Sequence, residues 1–462
     1  MAEIGAEPPR PLPDPHHARL LSNGYKTWFL AVLLIVSTFN FTDRFIFQLL
    51  AEAIKRDLQL SDFQLGALGG IAFALFYSIM GIPLARVAEH RSRVGLLSIS
   101  IFIWSMMTAL CGAVGNFWQM LLCRIGVGAG EASFTPAVNS LIGDHFPPTR
   151  RATAISIVQL GSPISALVGA LIISVIVAHW DWRVAFFAAG LPGILVALLV
   201  WFGLREPPRG LADGKIMPKG KPPPLSAVLR TLMTKRAAIH IIVGGSLAHI
   251  GLTAIGSFLS PFYMRVHELS LREAAVLFGF MQAGAAALGL LISGVGSDWA
   301  ASRDRRWHAW APALALFAAA PLFAAAFVQP ELRQAAFLIF PGSVVLFIYL
   351  VPTYAMLQNM VEARMRASAV AIYALISSIV GGLGPMLFGF VSDRFAAAEF
   401  AGGDFMQLCK GGTAAAGTAL DLSCRAAAAH GLQLALAAGM IIFVWASAHY
   451  LLAARTLRRD SE

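Results

Sequence analysis

Twelve long apolar runs, separated by short polar connections, dominate this chain of 462 residues. They cover residues 27–51, 64–86, 94–114, 117–144, 152–178, 184–204, 238–263, 274–297, 309–327, 335–361, 367–392 and 430–453. A helix that crosses a bilayer needs about 20 apolar residues. Open strands would leave backbone amides without partners in hydrocarbon, so every run is expected to be helical. Hydrophobic residues make up 57% of the chain and charged ones 13%, half the roughly 25% of a soluble domain. The expected fold is therefore an all-α membrane protein with twelve transmembrane helices.

The net charge of +10 could point to nucleic acid, but its placement does not. With the N-terminal tail inside and the helices alternating, the inner segments hold 24 Lys and Arg and the outer loops 9. That asymmetry is the positive-inside pattern. It supports both termini on the cytoplasmic side; the expected location is a cell's inner (plasma) membrane, and no nucleic acid is expected as a partner. The proline-rich tail, 1–26, lacks the charged-then-apolar pattern of a cleaved signal peptide. Cys111 and Cys123 sit in apolar runs as small packing residues. Cys409 and Cys424 share one polar loop, in position to form a disulfide if that loop is extracytoplasmic.

Segment 205–237, rich in Pro, Gly and basic residues, is a cytoplasmic linker. It divides the chain into bundles over 27–204 and 238–453, with a short tail at 454–462. Within the linker, LSAVLRTLMTKR reads either as a short membrane-surface helix or as a solvated tether. The outer loop 395–429 is rich in Ala and Gly.

The two halves echo each other. Gly81-Ile82-Pro83-Leu84-Ala85-Arg86, followed by Arg91 and Arg93, matches Gly294-Val295-Gly296-Ser297-Asp298, followed by Arg303, Arg305 and Arg306. This resembles the cytoplasmic loop signature of the major facilitator superfamily. The resemblance implies a latch between the halves built from Arg86, Asp298 and Arg303. Ala85 stands where the first copy should carry its acid, and Glu89 or Asp298 would have to substitute. Arg124-Ile125-Gly126-Val127-Gly128-Ala129-Gly130-Glu131-Ala132 resembles a second signature of that superfamily. Asn40-Phe41-Thr42-Asp43-Arg44, Gly130-Glu131-Ala132-Ser133, Trp180-Asp181-Trp182-Arg183 and Asp144-His145-Phe146 resemble spinster-like facilitators. Those proteins export lysolipids and sphingosine phosphates, and their bacterial members are proton-linked. The resemblance implies two pseudo-symmetric six-helix bundles and an amphipathic lipid substrate.

Four charges lie well inside apolar runs: Asp43, Arg44, Arg124 and Glu131. Each costs about 2.5–3.5 kcal/mol if left facing lipid, so they are expected to face a cavity or one another. At 1.5 Å per residue, Asp43 and Arg124 lie roughly 10 and 12 Å below the outer ends of their helices. An Asp43–Arg124 pair is expected from this similar depth. Glu131 shares a face with Arg124, and Arg44 points about 100° from Asp43. Glu131 and Asp43 are the candidate proton-coupling residues, since competition of proton and substrate for a carboxylate links their flows. Arg44 and Arg124 are the candidate headgroup ligands, because guanidinium matches phosphate in a bidentate way. A network that only fixes helix positions is the plain alternative. The second half offers His249, Phe258, Phe262, Phe278, Phe280, Met281, Met356 and Met360, an apolar counterpart. Gly161 and Pro163 on the fifth helix match Gly384 and Pro385 on the eleventh as possible hinges, or as packing positions. Asp393-Arg394 reads as a surface pair.

The reading is a monomeric secondary transporter working by alternating access, with the proton gradient as its energy source and no cofactor or metal. No Walker-type loop is present to bind ATP. An exporter of small organic anions or drugs shares every feature above. A membrane-embedded lipid-modifying enzyme would need clustered His and Asp or a nucleophile–base pair, which the sequence does not offer. A receptor or passive channel fits the two-half repeat poorly.

Overall fold

The computed structural model describes residues 20–213, 224–296, 303, 304, 306–362 and 365–460. Asp298 lies outside the described residues. Among the described residues eleven helices are long and apolar enough to span a membrane, and a twelfth crossing, α4 (117–145), is broken into two shorter helices. The first half holds α1 (Asn23–Asp57), α2 (Asp62–Ala88), α3 (Arg93–Cys111), α4, α5 (Thr153–His179) and α6 (Trp182–Gly203). The second holds α7 (Arg236–Val266), α8 (Leu271–Gly294), α9 (Trp307–Phe327), α10 (Leu332–Asn359), α11 (Ser368–Glu399) and α12 (Ala419–Asp460). Large apolar side chains stand exposed around the bundle, among them Phe202, Phe337 and Ile441, as a surface solvated by lipid requires.

Side-chain caps set several helix starts. The Ser22 and Ser92 hydroxyls accept from the Tyr25 and Gly95 amides, and Asn116 accepts from Gln119. Ser61 with Gln64 and Ser270 with Glu273 form capping boxes, which satisfy two orphan amides each. α4 is not one helix. It consists of Phe117–Glu131 and Phe134–His145, joined by a turn at Ala132 and Ser133. α5 is interrupted near Leu160 and carries a π-turn at Ser165–Gly169. Pro163 lacks the amide that would continue the ladder there.

The 395–429 segment expected as a loop is helical at both ends. α11 runs to Glu399 and α12 begins at Ala419, so 400–418 connects them. Alanine, the strongest helix former, fills both extensions. Cys409 and Cys424 are joined by a disulfide. The linker contains a helix, Leu225–Thr234, whose Val228 and Leu232 are buried while Leu225, Leu229 and Met233 face outward.

The halves meet through α1 with α7, α2 with α11, and α5 with α8. Their contact is concentrated at the end bearing the 400–418 connection, here the strap end. One apolar core there joins Ile46, Leu50 and Leu65 of the first half to Phe258, Phe262 and Phe388 of the second. At the opposite end, which carries both termini and the linker, Phe29, Leu97, Phe134 and Val200 form a core confined to the first half. At the strap end the backbones touch directly: a Cβ on Gly66 would lie 2.1 Å from the Pro385 carbonyl oxygen, and one on Gly389 2.0 Å from that of Asp62.

Candidate functional site

The pairing inside the first half differs from the expected one. Arg44 on α1 donates to Glu131 on α4, with Nε and Nη2 at 2.8 and 2.7 Å from Oε2. Glu131 is fully buried, and its Oε1 has no hydrogen-bond partner among the described residues. The Arg44 side chain remains 29% exposed. Its guanidinium lies over Phe73 at 4.8 Å, Tyr77 at 5.0 Å and Phe41 at 5.6 Å. These rings shield the cation from lipid and add cation–π attraction. The turn that ends the first part of α4 immediately follows Glu131.

Arg124 does not pair with the Asp43 carboxylate. It donates to main-chain oxygens instead, Leu68 at 3.3 Å and Asp43 at 3.5 Å. Phe47 and Phe73 hold its guanidinium at 4.7 and 5.4 Å from their centroids. The two rings fix the cation against the α1 backbone, so similar depth does not produce a carboxylate contact. Arg124 and Asp43 are both buried. Arg124 thus keeps its charge within a ring-and-carbonyl cage without an ion-pair partner among the described residues. Gly128 makes the site compact, because a Cβ there would meet the Phe73 carbonyl oxygen at 2.5 Å.

Across from this cluster the second half presents tyrosines, where the sequence pointed to Phe and Met. Tyr354 packs edge-on against Tyr373 at 5.3 Å. Thr353 hydrogen-bonds the Tyr450 hydroxyl. The Tyr349 hydroxyl is buried without a partner among the described residues. Most of the named apolar residues are buried core, whereas Phe280 is 54% exposed. His249 packs against Gly381, where a Cβ would clash with its ring. Polar hydroxyls spaced along apolar helices look like ordinary packing in a sequence, so no signal separated these tyrosines from core residues.

The other expected positions fall as follows. Arg86 and Arg303 are exposed at the termini end. Gly161 packs on α1, where a Cβ would lie 2.6 Å from the Ser37 Oγ, and with Pro163 it sits at the break in α5. α11 passes through Gly384 and Pro385 as one helix, and Gly384 allows close approach to the Ile250 carbonyl of α7.

Two networks were not legible beforehand. At the termini end, the buried Arg93 bonds Glu206 at 2.7 Å, Asp144, and the Pro207 carbonyl at 2.9 Å. Asp144 also accepts from the Gly210 amide at 2.7 Å. This pins the start of the linker to the first half. Burial pushes the Glu206 carboxyl upward, but bonds from the Val94 amide, Arg93 and Ser92 outweigh it and hold the group below its ordinary value.

At the strap end, Arg265 of α7 makes a bidentate bond to Asp62 at the start of α2, both contacts at 2.8 Å, and reaches Glu52 of α1 at 2.5 Å. Lys55 pairs with Asp62 at 2.9 Å and Arg56 with Glu52 at 2.9 Å. Asp393 is no surface pair partner. It is 8% exposed and accepts from the Asp62 and Phe63 amides, both at 2.9 Å, capping α2 from the other half. A free helix N-terminus attracts a carboxylate, and α11 delivers Asp393 to it. Arg394 lies on the Phe390 ring at 5.1 Å instead.

Two six-helix bundles, sealed to each other at one end and enclosing a charged, aromatic-lined pair between helices, define a membrane transporter. The chain belongs to the Major Facilitator Superfamily, which residues 33–385 match. It is 30% identical to an MFS-type efflux pump of Mycolicibacterium smegmatis, over 79% of this chain and 84% of that one. It is 24% identical to the sphingosine-1-phosphate transporter SPNS2 of Danio rerio, over 82% and 78% of the respective chains. It also resembles, at 33% identity and a TM-score of 0.83, the crystal structure of a bacterial homologue of the human lysosomal transporter Spinster in an inward-facing, unoccupied conformation. That match covers 95% of this chain and 99% of the other.

Proposed function

We propose that this transporter is a proton-coupled carrier of an amphipathic anionic lipid, such as a lysolipid or a sphingosine phosphate-like molecule, and that it works by alternating access. The Arg44–Glu131 pair carries the reading. The carboxylate is fully buried while its arginine partner is 29% exposed, so an arriving anionic headgroup can compete for the guanidinium. When it does, Glu131 loses its partner and is best left neutral by taking up a proton. Substrate and proton thereby enter together or displace each other at one site. Arg124, caged by Phe47 and Phe73, supplies a second cation that is in no ion pair among the described residues, and Asp43 beside it is the second candidate proton carrier. In this reading the termini face the cytoplasm across the inner membrane, the strap end faces outside, and the state described is closed outward.

The likeness to Spinster and SPNS2 supports the lipid. The 30% identity to an efflux pump supports a second reading, export of small organic anions or drugs, which the same pair would serve. Transport of a fluorescent lysolipid in proteoliposomes, with and without a pH gradient, tests the proposal. Gradient-dependent movement that disappears in Glu131→Gln upholds it. Lipid movement indifferent to the gradient removes the coupling, and no lipid movement by protein that moves an organic anion removes the lipid.

A further inference from the structure

The 400–418 connection does more than join α11 to α12, because it crosses from its own half to sit on the other. Gly411, with φ +69°, lies on the last turn of α1. A Cβ there would come 3.2 Å from the Lys55 carbonyl oxygen, 3.3 Å from the Gln59 Cα and 3.4 Å from the Arg56 Cα. Contact this close, at a left-handed backbone angle, suits glycine and little else. Gly412, with φ +81°, covers the Lys55 ammonium, whose position is 3.1 Å from where its Cβ would be. Lys55 is consequently 2% exposed although it stands at the end of a spanning helix.

The segment is anchored on its own side. The disulfide ties Cys409 to Cys424 of α12, and both cysteines are buried. Phe405 packs with Phe400 and Ala396 of α11. Asp421 accepts from the Ala414 amide at 2.9 Å. The result is a closed ring fastened to α11 and α12 with its glycine tip resting on α1.

Directly beneath the tip is the ion-pair network that joins the halves. Beside the tip opens a cavity of about 550 Å³, lined among others by Glu52, Arg56, Glu268, Asp421 and Arg425. The strap is therefore held at its ends and tip and not packed solid along its flank. Separation of the halves at this end would have to break Arg265–Asp62 and lift the tip from α1. Lys55–Asp62 and Arg56–Glu52 lie wholly in the first half. Arg265 and Asp393, of opposite charge, both belong to the second. The network can thus part with each half left a balanced set, so the gate is built to reopen.

We propose that the disulfide-closed strap is a latch on this gate, which biases the transporter toward the state closed at the strap end, and that oxidation of Cys409 and Cys424 sets the strength of the bias. The proposal rests on alternating access but not on the identity of the substrate. An oxidising exterior keeps the latch set, and loss of the bond frees the tip from α1.

Cysteine accessibility in lipid nanodiscs, where both ends meet solvent, tests this in full-length protein lacking Cys111 and Cys123. Ser257→Cys on α7, 5% exposed against Gly69 of the other half, reports opening at the strap end. Thr135→Cys, beside Tyr77, reports the termini end. Opening the latch with C409S/C424S, or lifting its tip with Gly411→Val while the disulfide remains, is expected to speed maleimide labelling of the first by at least fivefold. Labelling of the second should slow correspondingly. Unchanged rates at both sites in both latch variants overturn the proposal. Faster labelling at 257 without slowing at 135 also overturns it, because that is local loosening. Asp62→Asn provides the separating control. If it moves both labels in opposite directions while the latch variants do not, alternating access stands and the latch alone fails. If no variant produces reciprocal change, alternating access fails with it.

Discussion

Arg44 and Glu131, 87 residues apart in sequence, share a two-bond ion pair on a single oxygen, Oε2. The other carboxylate oxygen, Oε1, is buried with no partner among the described residues. The bare oxygen is where a proton can settle once Arg44 turns to a substrate headgroup, and this asymmetry underlies the first prediction.

Glu131→Gln retains an acceptor for Arg44 and is expected to fold with a Tm close to that of the parent, while transport ceases to respond to a pH gradient. Arg44→Met leaves the carboxylate uncompensated, which costs about 3–5 kcal/mol for a buried pair. Differential scanning fluorimetry in one detergent should rank Arg44→Met well below Glu131→Gln. The reverse order would refute the pairing.

Arg124 is held by two rings and two carbonyls, with no acid to lose. Arg124→Lys is expected to keep the fold but weaken binding of an alkyl phosphate about tenfold, or about 1.4 kcal/mol, because an ammonium cannot present a planar fork. Isothermal titration with short-chain alkyl phosphates measures this, and unchanged affinity would remove Arg124 from headgroup binding.

The gate at the strap end is asymmetric under mutation. Arg265→Met leaves Asp62 with Lys55 and Glu52 with Arg56, so every remaining charge keeps a partner. Asp62→Asn takes the bidentate partner from Arg265 and, among the described residues, the paired acid from Lys55, and an unpaired buried charge costs about 3–5 kcal/mol. Asp62→Asn should therefore speed labelling of Ser257→Cys more than Arg265→Met does. Equal rates would mean that charge pairing does not hold this end shut.

Acid should loosen the linker. The Glu206 carboxyl is held below its ordinary value in the folded protein. Its stabilising contribution is complete above the unfolded value, about 4.3, and is lost as pH falls through the lower folded value. Proteolysis within 205–237 should accelerate as pH drops below that range, and Glu206→Gln should be cut readily at neutral pH with little further change in acid. An acid-tolerant protease distinguishes the outcomes, and equal cutting of parent and variant at pH 7 would discount the clamp.

The sequence by itself determined the twelve helices and the division into two bundles, because hydrocarbon imposes one rule on every backbone group and leaves helix length as the only variable. It also exposed Asp43, Arg44, Arg124 and Glu131, since a charge inside an apolar run is costly wherever it points. Only the tertiary structure decided the partners. Depth along a helix is set by counting residues, but azimuth depends on helix packing, on the turn at Ala132 and Ser133, and on rings such as Phe47 and Phe73. Arg44 therefore found Glu131, and Arg124 found carbonyls. The strap-end network was hidden for a related reason: Asp62, Arg265 and Asp393 stand at helix ends, where charges normally meet water, and only the meeting of two halves distant in sequence buries them.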